Sequence, residues 1–548
     1  MAASIMTAKS AQTLGREEVL LPAPAERALR EKLMQAQLLP GTVPDPAEAQ
    51  DNAPDWLDRA GEGTLQVSLA EAVQIAAANA TSIRDQREQV FTAALNLDLE
   101  RDAFRSSFTG LVQSDAVTEL LGGDREAGTV SGAEISASRL FANGLEITAR
   151  LGLDLALLLT APEAAALGLF ADGSILLPLM RGSGEAVVTE PLKQADRNLI
   201  YAFYDWERFK RSFAVAVVRD ALAVITARDA VRTRTSNLEG LERQSIRAAR
   251  LADLGRLPGI QAEEARQNEL RARDRLLTAR TRLAAAEDTF RQRLGLPPDA
   301  QVTVSDDVLG NLRRLYAGDV ARFEWPEDQA IRLALDHRLD LRRARGEVED
   351  ALRGIMIAED QLKSDLDLVG SVSAGGARSN LSSALNASAP LRLQDAEARL
   401  GLRFQPGFER TAERNSYRQA LITAEAEARQ VADLEDTIKA EIRSALRDLS
   451  EARQRVAIQR RSVELAARRV AATELLLDLG RAQIRDILDA RDDLVSAEEA
   501  LTQALIDHRL TELEFQRDLG LLRVTPDGLW QELPAEAAPV ITAPNEDS

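Results

Sequence analysis

The sequence contains no cysteine, which excludes disulfides, thiolate metal sites and a lipid-modified cysteine. It has two histidines, His337 and His508, too few and too distant in sequence for an imidazole metal site; both are expected to be solvated helix residues. Aromatics make up 4% of the chain and charged residues 28%, and Ala, Leu, Arg, Glu and Asp dominate, a composition of long helices and coiled coils more than of compact enzymes. No stretch approaches the ~20 consecutive apolar residues of a membrane-spanning helix. The nearest, "FAVAVVRDALAVITA" at 213–227, is cut by Arg219 and Asp220. The N-terminal "MAASIMTAKSAQTLGREEVLLPAP" lacks the unbroken apolar core of a secretory signal, so no signal peptide is visible in this chain. A formal net charge of -19 argues against nucleic acid as a general partner. With no nucleophile–base pair, glycine-rich phosphate loop or metal-ligand cluster, the chain reads as a non-enzyme, with no catalytic residue, metal or cofactor expected.

Helix breakers are also scarce. From Gly407 to Thr525 there is no proline, and Gly480 is the one glycine between Gly407 and Gly520, in "LLLDLGRAQIRDILDARDDL" at 475–494. The phrase recurs as "LADLGRLPGIQAEEARQNEL" at 251–270. Setting residue n against n + 225 aligns the two turns and lays Phe290, Leu294, Gly295 and Leu296 on Phe515, Leu519, Gly520 and Leu521. Earlier in each half the offset is 258: Ala72, Ala76, Ile83 and Val90 fall on Ala330, Ala334, Leu341 and Val348. The first half therefore carries about 33 extra residues, the difference between the two offsets. Such self-similarity marks an internal structural repeat.

Each half reads as a short helix, a strand-rich segment, a long helix, the LGR break and another short helix. In the second half the short helices are predicted at about 326–362 and 483–519 and the long one at about 411–478. At ~1.5 Å per residue these are roughly 55, 55 and 100 Å, so two short helices placed end to end match one long helix. The long helix repeats Ile442, Ala445, Leu449, Ala452, Val456, Gln459, Val463, Ala466 and Val470, a 3.5-residue coiled-coil period. Its mate keeps the phase through Val217, Asp220, Val224, Ala227, Val231, Arg234, Leu238, Leu241 and Ser245.

Between the helices the period changes to two. In "LEITARLGLDLALLL" at 145–159 the odd positions are apolar, whereas Glu146, Thr148, Arg150, Gly152 and Asp154 share the other face, a strand pattern. Asn143-Gly144 precedes this run and predicts a tight hairpin. In the second half Leu366 and Leu368 oppose Asp365 and Asp367, while Leu400, Leu402 and Phe404 oppose Arg399, Arg403 and Gln405. Strands with one apolar and one charged face suit a wall between lipid and water, and such strands must close with copies from other chains, because open edges are unsatisfied in lipid. The aromatic cluster Tyr201, Phe203, Tyr204, Trp206, Phe209 and Phe213 fits either the strand-to-helix junction at a membrane interface or plain core packing.

On these motifs the sequence resembles the TolC-like outer-membrane efflux protein family across roughly residues 65–525. The resemblance is carried by "VSLAEAVQIAAANATSIRDQREQV", by the strand-to-helix returns "LLPLMRGSGEAVVTEPLKQADRNLIYA" and "RFQPGFERTAERNSYRQALITAEAEAR", and by the two LGR turns followed by "FRQRLGL" and "FQRDLGL". It implies a mainly α fold with β: a long coiled-coil α-helical barrel plus a transmembrane β-barrel shared by a homotrimer, four strands per chain, with two internal repeats. The expected divisions are an N-terminal extension at 1–63, a first repeat at 64–300 with strands about 105–180, a linker at 301–323, a second repeat at 324–525 with strands about 364–406, and a C-terminal tail at 526–548. The implied role is the exit duct of a tripartite efflux or type I secretion system, in the outer membrane and extending into the periplasm. Its implied partners are outer-membrane lipid, a periplasmic adaptor (membrane fusion protein) and an inner-membrane pump.

The resemblance further implies adaptor contact at the tip turns, Leu254, Gly255, Arg256 and Leu479, Gly480, Arg481, and a channel constriction at Asp486 and Asp489. The i, i+3 spacing puts both carboxylates on one helical face; pairing with Arg485 or Arg491 on a solvated surface is the plainer reading. The first tip departs from the second, with Pro258 and Gly259 added and Gln261 in place of an acid, so an acidic ring is expected from the second hairpin only. A soluble coiled-coil scaffold or structural protein is the alternative function; it accounts for the seams and leaves the strands unexplained.

Overall fold

The computed structural model describes residues 65–121, 124–159, 165–305, 307–316, 325–376, 390–392, 396–479, 481–524 and 530–531. The extension at 1–63, most of the tail at 526–548 and Gly480 lie outside the described residues. In chain order the elements are β1 (Leu65–Val67), α1 (Leu69–Asn79), α2 (Thr81–Asp102), β2 (Ser107–Leu121), β3 (Asp124–Leu140), β4 (Glu146–Leu158), β5 (Ala165–Pro178), α3 (Glu185–Val188), α4 (Glu190–Asp253) and α5 (Gly259–Arg293). There follow β6 (Val302–Val304), α6 (Asp307–Leu315), α7 (Glu327–His337), α8 (Leu339–Asp360), β7 (Asp365–Gly375), β8 (Glu397–Gln405), α9 (Thr411–Asp478), α10 (Ile484–Asp518), β9 (Arg523–Val524) and β10 (Trp530–Gln531).

The two longest helices, α4 and α9, have 64 and 68 residues, about 100 Å each. Beside each lie two shorter helices in line. The joint between them rests on a glycine that the repeat duplicates: Gly295, just past α5, has φ +70, and a Cβ there would sit 2.6 Å from the Asn79 carbonyl and 2.8 Å from Ala80 Cα. Gly520, just past α10, has φ +73 and would meet the His337 carbonyl oxygen at 2.9 Å. Left-handed backbone and close approach both demand glycine. The residues these glycines abut break the expected single helices, for Ala80 (φ -65, ψ 129) and Arg338 (φ -70, ψ 124) are extended. The predicted helix at 326–362 is thus two, α7 and α8. Phe290, Leu294, Phe515 and Leu519 are all buried at these joints.

Side by side the rods stand in the order α5 with α2, then α4, then α10 with α8, then α9. The predicted seams face these contacts: Val217, Val224, Leu241, Ile442 and Val456 are buried. The main core gathers around mid-α4, where Ala214–Val224 meets α1, the β1·β6 parallel pair, α6 and α10. Tyr201, Phe203 and Phe213 are buried, with Trp206, Phe209 and Phe213 stacked in a row at 6.3 and 5.7 Å between centroids, so this cluster is core packing rather than a junction belt. His508 corrects another expectation. It is 3% exposed, edge-on to Tyr316 at 4.9 Å, with Nδ1 2.9 Å from the Tyr316 hydroxyl; burial pushes it below its ordinary value of 6.5. His337 is exposed as expected.

The strands form one antiparallel sheet in the order β2-β3-β4-β5-β7-β8. This is six strands, two more than the resemblance implies. The extra pair fills the 33-residue excess: β3 has 17 residues and β4 has 13. Their connection is a three-residue loop rather than a two-residue turn. Phe141 and Leu145 close it at 2.8 Å, and Gly144 takes φ 88, the type I turn with a left-handed third residue.

Candidate functional site

Two regions at opposite ends of the rods carry the chemistry. At the sheet end, pairing register decides which side chains share a face. Phe108 lies opposite Ala137, Ala137 opposite Ala149, Ala149 opposite Gly173, Gly173 opposite Val372 and Val372 opposite Ala398. The neighbouring rows on this face bring in Val112, Ile135, Ile147, Leu151, Leu153, Leu167, Leu400, Leu402 and Phe404, all exposed. Of the hydroxyls on this face, Ser114 and Ser131 bond each other at 2.7 Å, and Thr118 and Thr129 lie farther from the helices. The opposite face is polar toward the helices, and farther out it carries a small apolar cluster in which Val117 packs against buried Val130, Ala156 and Leu158. One row runs Thr109, Ser136, Arg150, Asp172, Ser373, Glu397, and the next Ser107, Ser138, Thr148, Ser174, Ser371, Arg399. The strand ends nearest the helices carry Phe104, Phe108, Phe141, Phe404 and Phe408, with the Arg139 guanidinium 4.9 Å from the Phe141 ring.

The apolar face cannot be a resting surface in water. Moving one large apolar side chain out of water stabilises by about 1.5–3 kcal/mol, so half a dozen together match the 5–15 kcal/mol net stability of an ordinary domain. That the pattern holds across every strand, in one register, distinguishes it from scattered surface leucines.

At the other end α4 closes with a Schellman turn. Leu254 caps it, Gly255 takes φ +67, and bonds run from Gly255 N to Ala252 O at 2.9 Å and from Arg256 N to Leu251 O at 2.8 Å. The second tip repeats the closing bond, Arg481 N to Leu476 O at 2.8 Å. Leu254 and Leu479 are exposed, 71% and 61%. The two hairpins are bound together just above, where Ile484 and Leu488 pack on Leu241, Ala248, Ala265 and Ala272.

Asp486 and Asp489 lie on the face of α10 opposite these contacts, both exposed. Asp486 is the third residue of a capping box and accepts from Gln483 N at 2.9 Å, a stabilising use of negative charge at a helix N-terminus. Asp489 has no side-chain partner among the described residues. Neither pairs with Arg485 or Arg491: Arg491 instead donates to Glu474 on α9 at 2.5 Å, and its guanidinium leaves no room for a Cβ at Gly240 of α4. Arg275 bonds Asp492 at 2.9 Å and Arg469 bonds Asp493, so these cations, like Arg491, are tied to other acids. Since α5 and α10 begin at positions related by the 225 offset, Gln261 answers Asp486, but Glu264 answers Asp489. The sequence reading missed Glu264, an acid of the first hairpin at the position matching Asp489. Among the described residues no group of His, Cys, Asp and Glu could hold a metal ion, and no helix is long and apolar enough to cross a membrane.

No family description and no curated protein sequence matches the chain. Solved structures do. The chain is similar to the Campylobacter jejuni CmeC outer membrane channel, at 12% identity over 88% of this chain and 90% of that one, with a TM-score of 0.61. It is similar to the outer-membrane channel OprN, at 15% identity over 85% and 92%, TM-score 0.59. It is likewise similar to the open state of the Neisseria gonorrhoeae MtrE outer membrane channel, at 16% identity over 83% and 89%, TM-score 0.57. The fold is therefore the mainly α, TolC-like fold of outer-membrane channels.

Proposed function

We propose that the chain is a subunit of a passive outer-membrane exit duct, a homotrimer that serves a tripartite efflux or type I secretion system and has no catalytic role. The observation that carries this reading is the apolar face continuous over six strands, backed by a polar face. Along β4 the apolar positions extend from Ile147 to Leu157, ten steps along the strand; at ~3.3 Å each and a ~40° tilt that is a band about 25 Å tall, the height of an outer-membrane barrel's hydrophobic belt. The phenylalanines at its helix end correspond to an interfacial girdle.

The free edges support a ring. The sheet ends at β2, which α2 enters, and at β8, which leads into α9; the rods end at α2 with α5 and at α9. Both layers thus present the same two open sides. The rods at those sides carry exposed apolar residues, Leu99, Ile260, Leu270 and Leu277 on one and Ile422, Ile458 and Leu475 on the other, as a head-to-tail closed interface requires. In this reading the two repeats, 64–300 and 324–525, each form half of a protomer. The tip turns, Leu254, Gly255, Arg256, Leu479, Gly480 and Arg481, meet a periplasmic adaptor that links to an inner-membrane pump. Asp486 and Asp489, with Glu264, face the constriction, where carboxylates gathered from several protomers favour cations.

The test is fractionation. Expressed with an export signal in a Gram-negative host, the chain should appear in the outer membrane as a species that migrates as a trimer unheated and as a monomer after boiling. A monomer confined to the soluble fraction refutes the reading.

A further inference from the structure

Resting on the trimeric-duct reading, we infer that all six strands of each protomer stand in the membrane wall, so that the shared barrel has eighteen strands and a wide lumen. Four strands per protomer would give twelve. The extra pair is built into the wall in three respects. Its seams are continuous, from Gly128 opposite Leu158 to Leu140 opposite Glu146, and from Glu146 opposite Leu176 to Leu157 opposite Ala165. Its two faces continue those of the other strands, as Ile135 and Leu151 lie in the apolar layer and Ser136 and Arg150 in the polar one. Its loop is seated on the helix-side connection, where a Cβ at Gly144 would lie 2.9 Å from Pro178 Cγ and 3.3 Å from the Gly182 carbonyl oxygen.

Strand number sets diameter. With ~4.8 Å between strands and a ~40° tilt, eighteen strands close at a backbone diameter of about 36 Å and twelve at about 24 Å. Allowing ~5 Å for the inward side chains on each side, half the spacing of packed sheets, the lumens are about 26 and 14 Å across. Porin-sized barrels of 16–18 strands keep an aqueous channel. The hydroxyl row from Ser107 to Ser371 gives this lumen a wettable girth, suited to hydrated solutes or chain segments up to about 20 Å across.

Closure at six strands per protomer pairs β8 of one copy with β2 of the next. The absence of native cysteine makes this testable in the full chain. Gly401→Cys, where no atom lies within 4 Å of a new Cβ, is combined with Cys at Thr109, Leu111 or Gln113 on β2, or at Thr148 or Arg150 on β4. Mild oxidation in outer membranes should yield a boiling-resistant, reducible trimer from at least one β2 partner and none from β4. In parallel, Ser136→Cys and Ser174→Cys, on the polar face, should react with a maleimide polymer about 20 Å across added at the outer mouth. Cross-linking through β4 in place of β2, or labelling only by probes under about 14 Å, overturns the eighteen-strand wall and leaves the duct standing. Absence of any outer-membrane trimer overturns both.

Discussion

Replacing Gly295 by alanine tests the end-to-end joint between α5 and α2, and Gly255 supplies its control. The two glycines have nearly the same backbone, φ +70 and φ +67, but differ in surroundings. A Cβ at Gly255 meets nothing within 4 Å, so Gly255→Ala bears only the left-handed conformation of an L-residue, about 1–2 kcal/mol. At Gly295 the same methyl group would lie 2.6 Å from the Asn79 carbonyl carbon and oxygen, and backbone cannot move aside as a side chain can. Overpacking of this kind adds about 1–3 kcal/mol, so Gly295→Ala should lose about 2–5 kcal/mol. Gly520→Ala, facing the His337 carbonyl at 2.9 Å, should behave like Gly295→Ala. The assay is the heating midpoint at which the unboiled oligomer converts to monomer, compared at one heating rate because such unfolding is kinetically controlled. Equal shifts for Gly255→Ala and Gly295→Ala would refute the reasoning, since the joint would then impose no steric demand.

Three further outcomes are expected. Asp486→Ala with Asp489→Ala should reduce the cation preference of single channels and their block by divalent cations while trimers persist, and adding Glu264→Gln should reduce both further; unchanged selectivity would place the constriction elsewhere. Asp486→Ala alone should also loosen the start of α10 by about 0.3–1 kcal/mol, through loss of charge at a helix N-terminus, read as faster proteolysis near the tip, whereas Asp489→Ala should not. The neutral buried state of His508 lowers its proton affinity below that of the unfolded chain, so the unfolded state binds more protons. Stability is therefore full above about pH 6.5 and falls as pH drops toward the lower folded value; Glu512 beside it opposes the shift, while Arg453 and Arg509 add to it. His508→Gln should flatten this acid limb of the heating midpoint, and an unaltered limb would assign the pH response to other groups.

Much of the architecture was legible because it is periodic. A seam at 3.5 residues, strands at two and repeat offsets of 225 and 258 each translate one physical spacing into sequence, and the helix lengths give the stacking by arithmetic. What escaped has no local signal. Ala80 and Arg338 break their helices without proline or glycine, at the points where Gly295 and Gly520 approach from distant segments. His508 looks like any polar helix residue until α6 brings Tyr316 against it. The strand count was hidden by the low information content of short alternating segments, with only the 33-residue excess hinting at a second hairpin. At the tip, register arithmetic was sufficient to find Glu264, but attention to Gln261 obscured it.

The central claim is that the six-stranded sheets of several copies close into one lipid-embedded barrel with the apolar face outward. A density map of the purified oligomer in a lipid nanodisc tests it directly. The map should show three protomers, α9 of each against α2 and α5 of the next, Leu151, Leu153, Leu400 and Leu402 toward lipid, and Arg150 and Asp172 toward the lumen. A map with the apolar face buried between sheets of a particle that excludes lipid would contradict it.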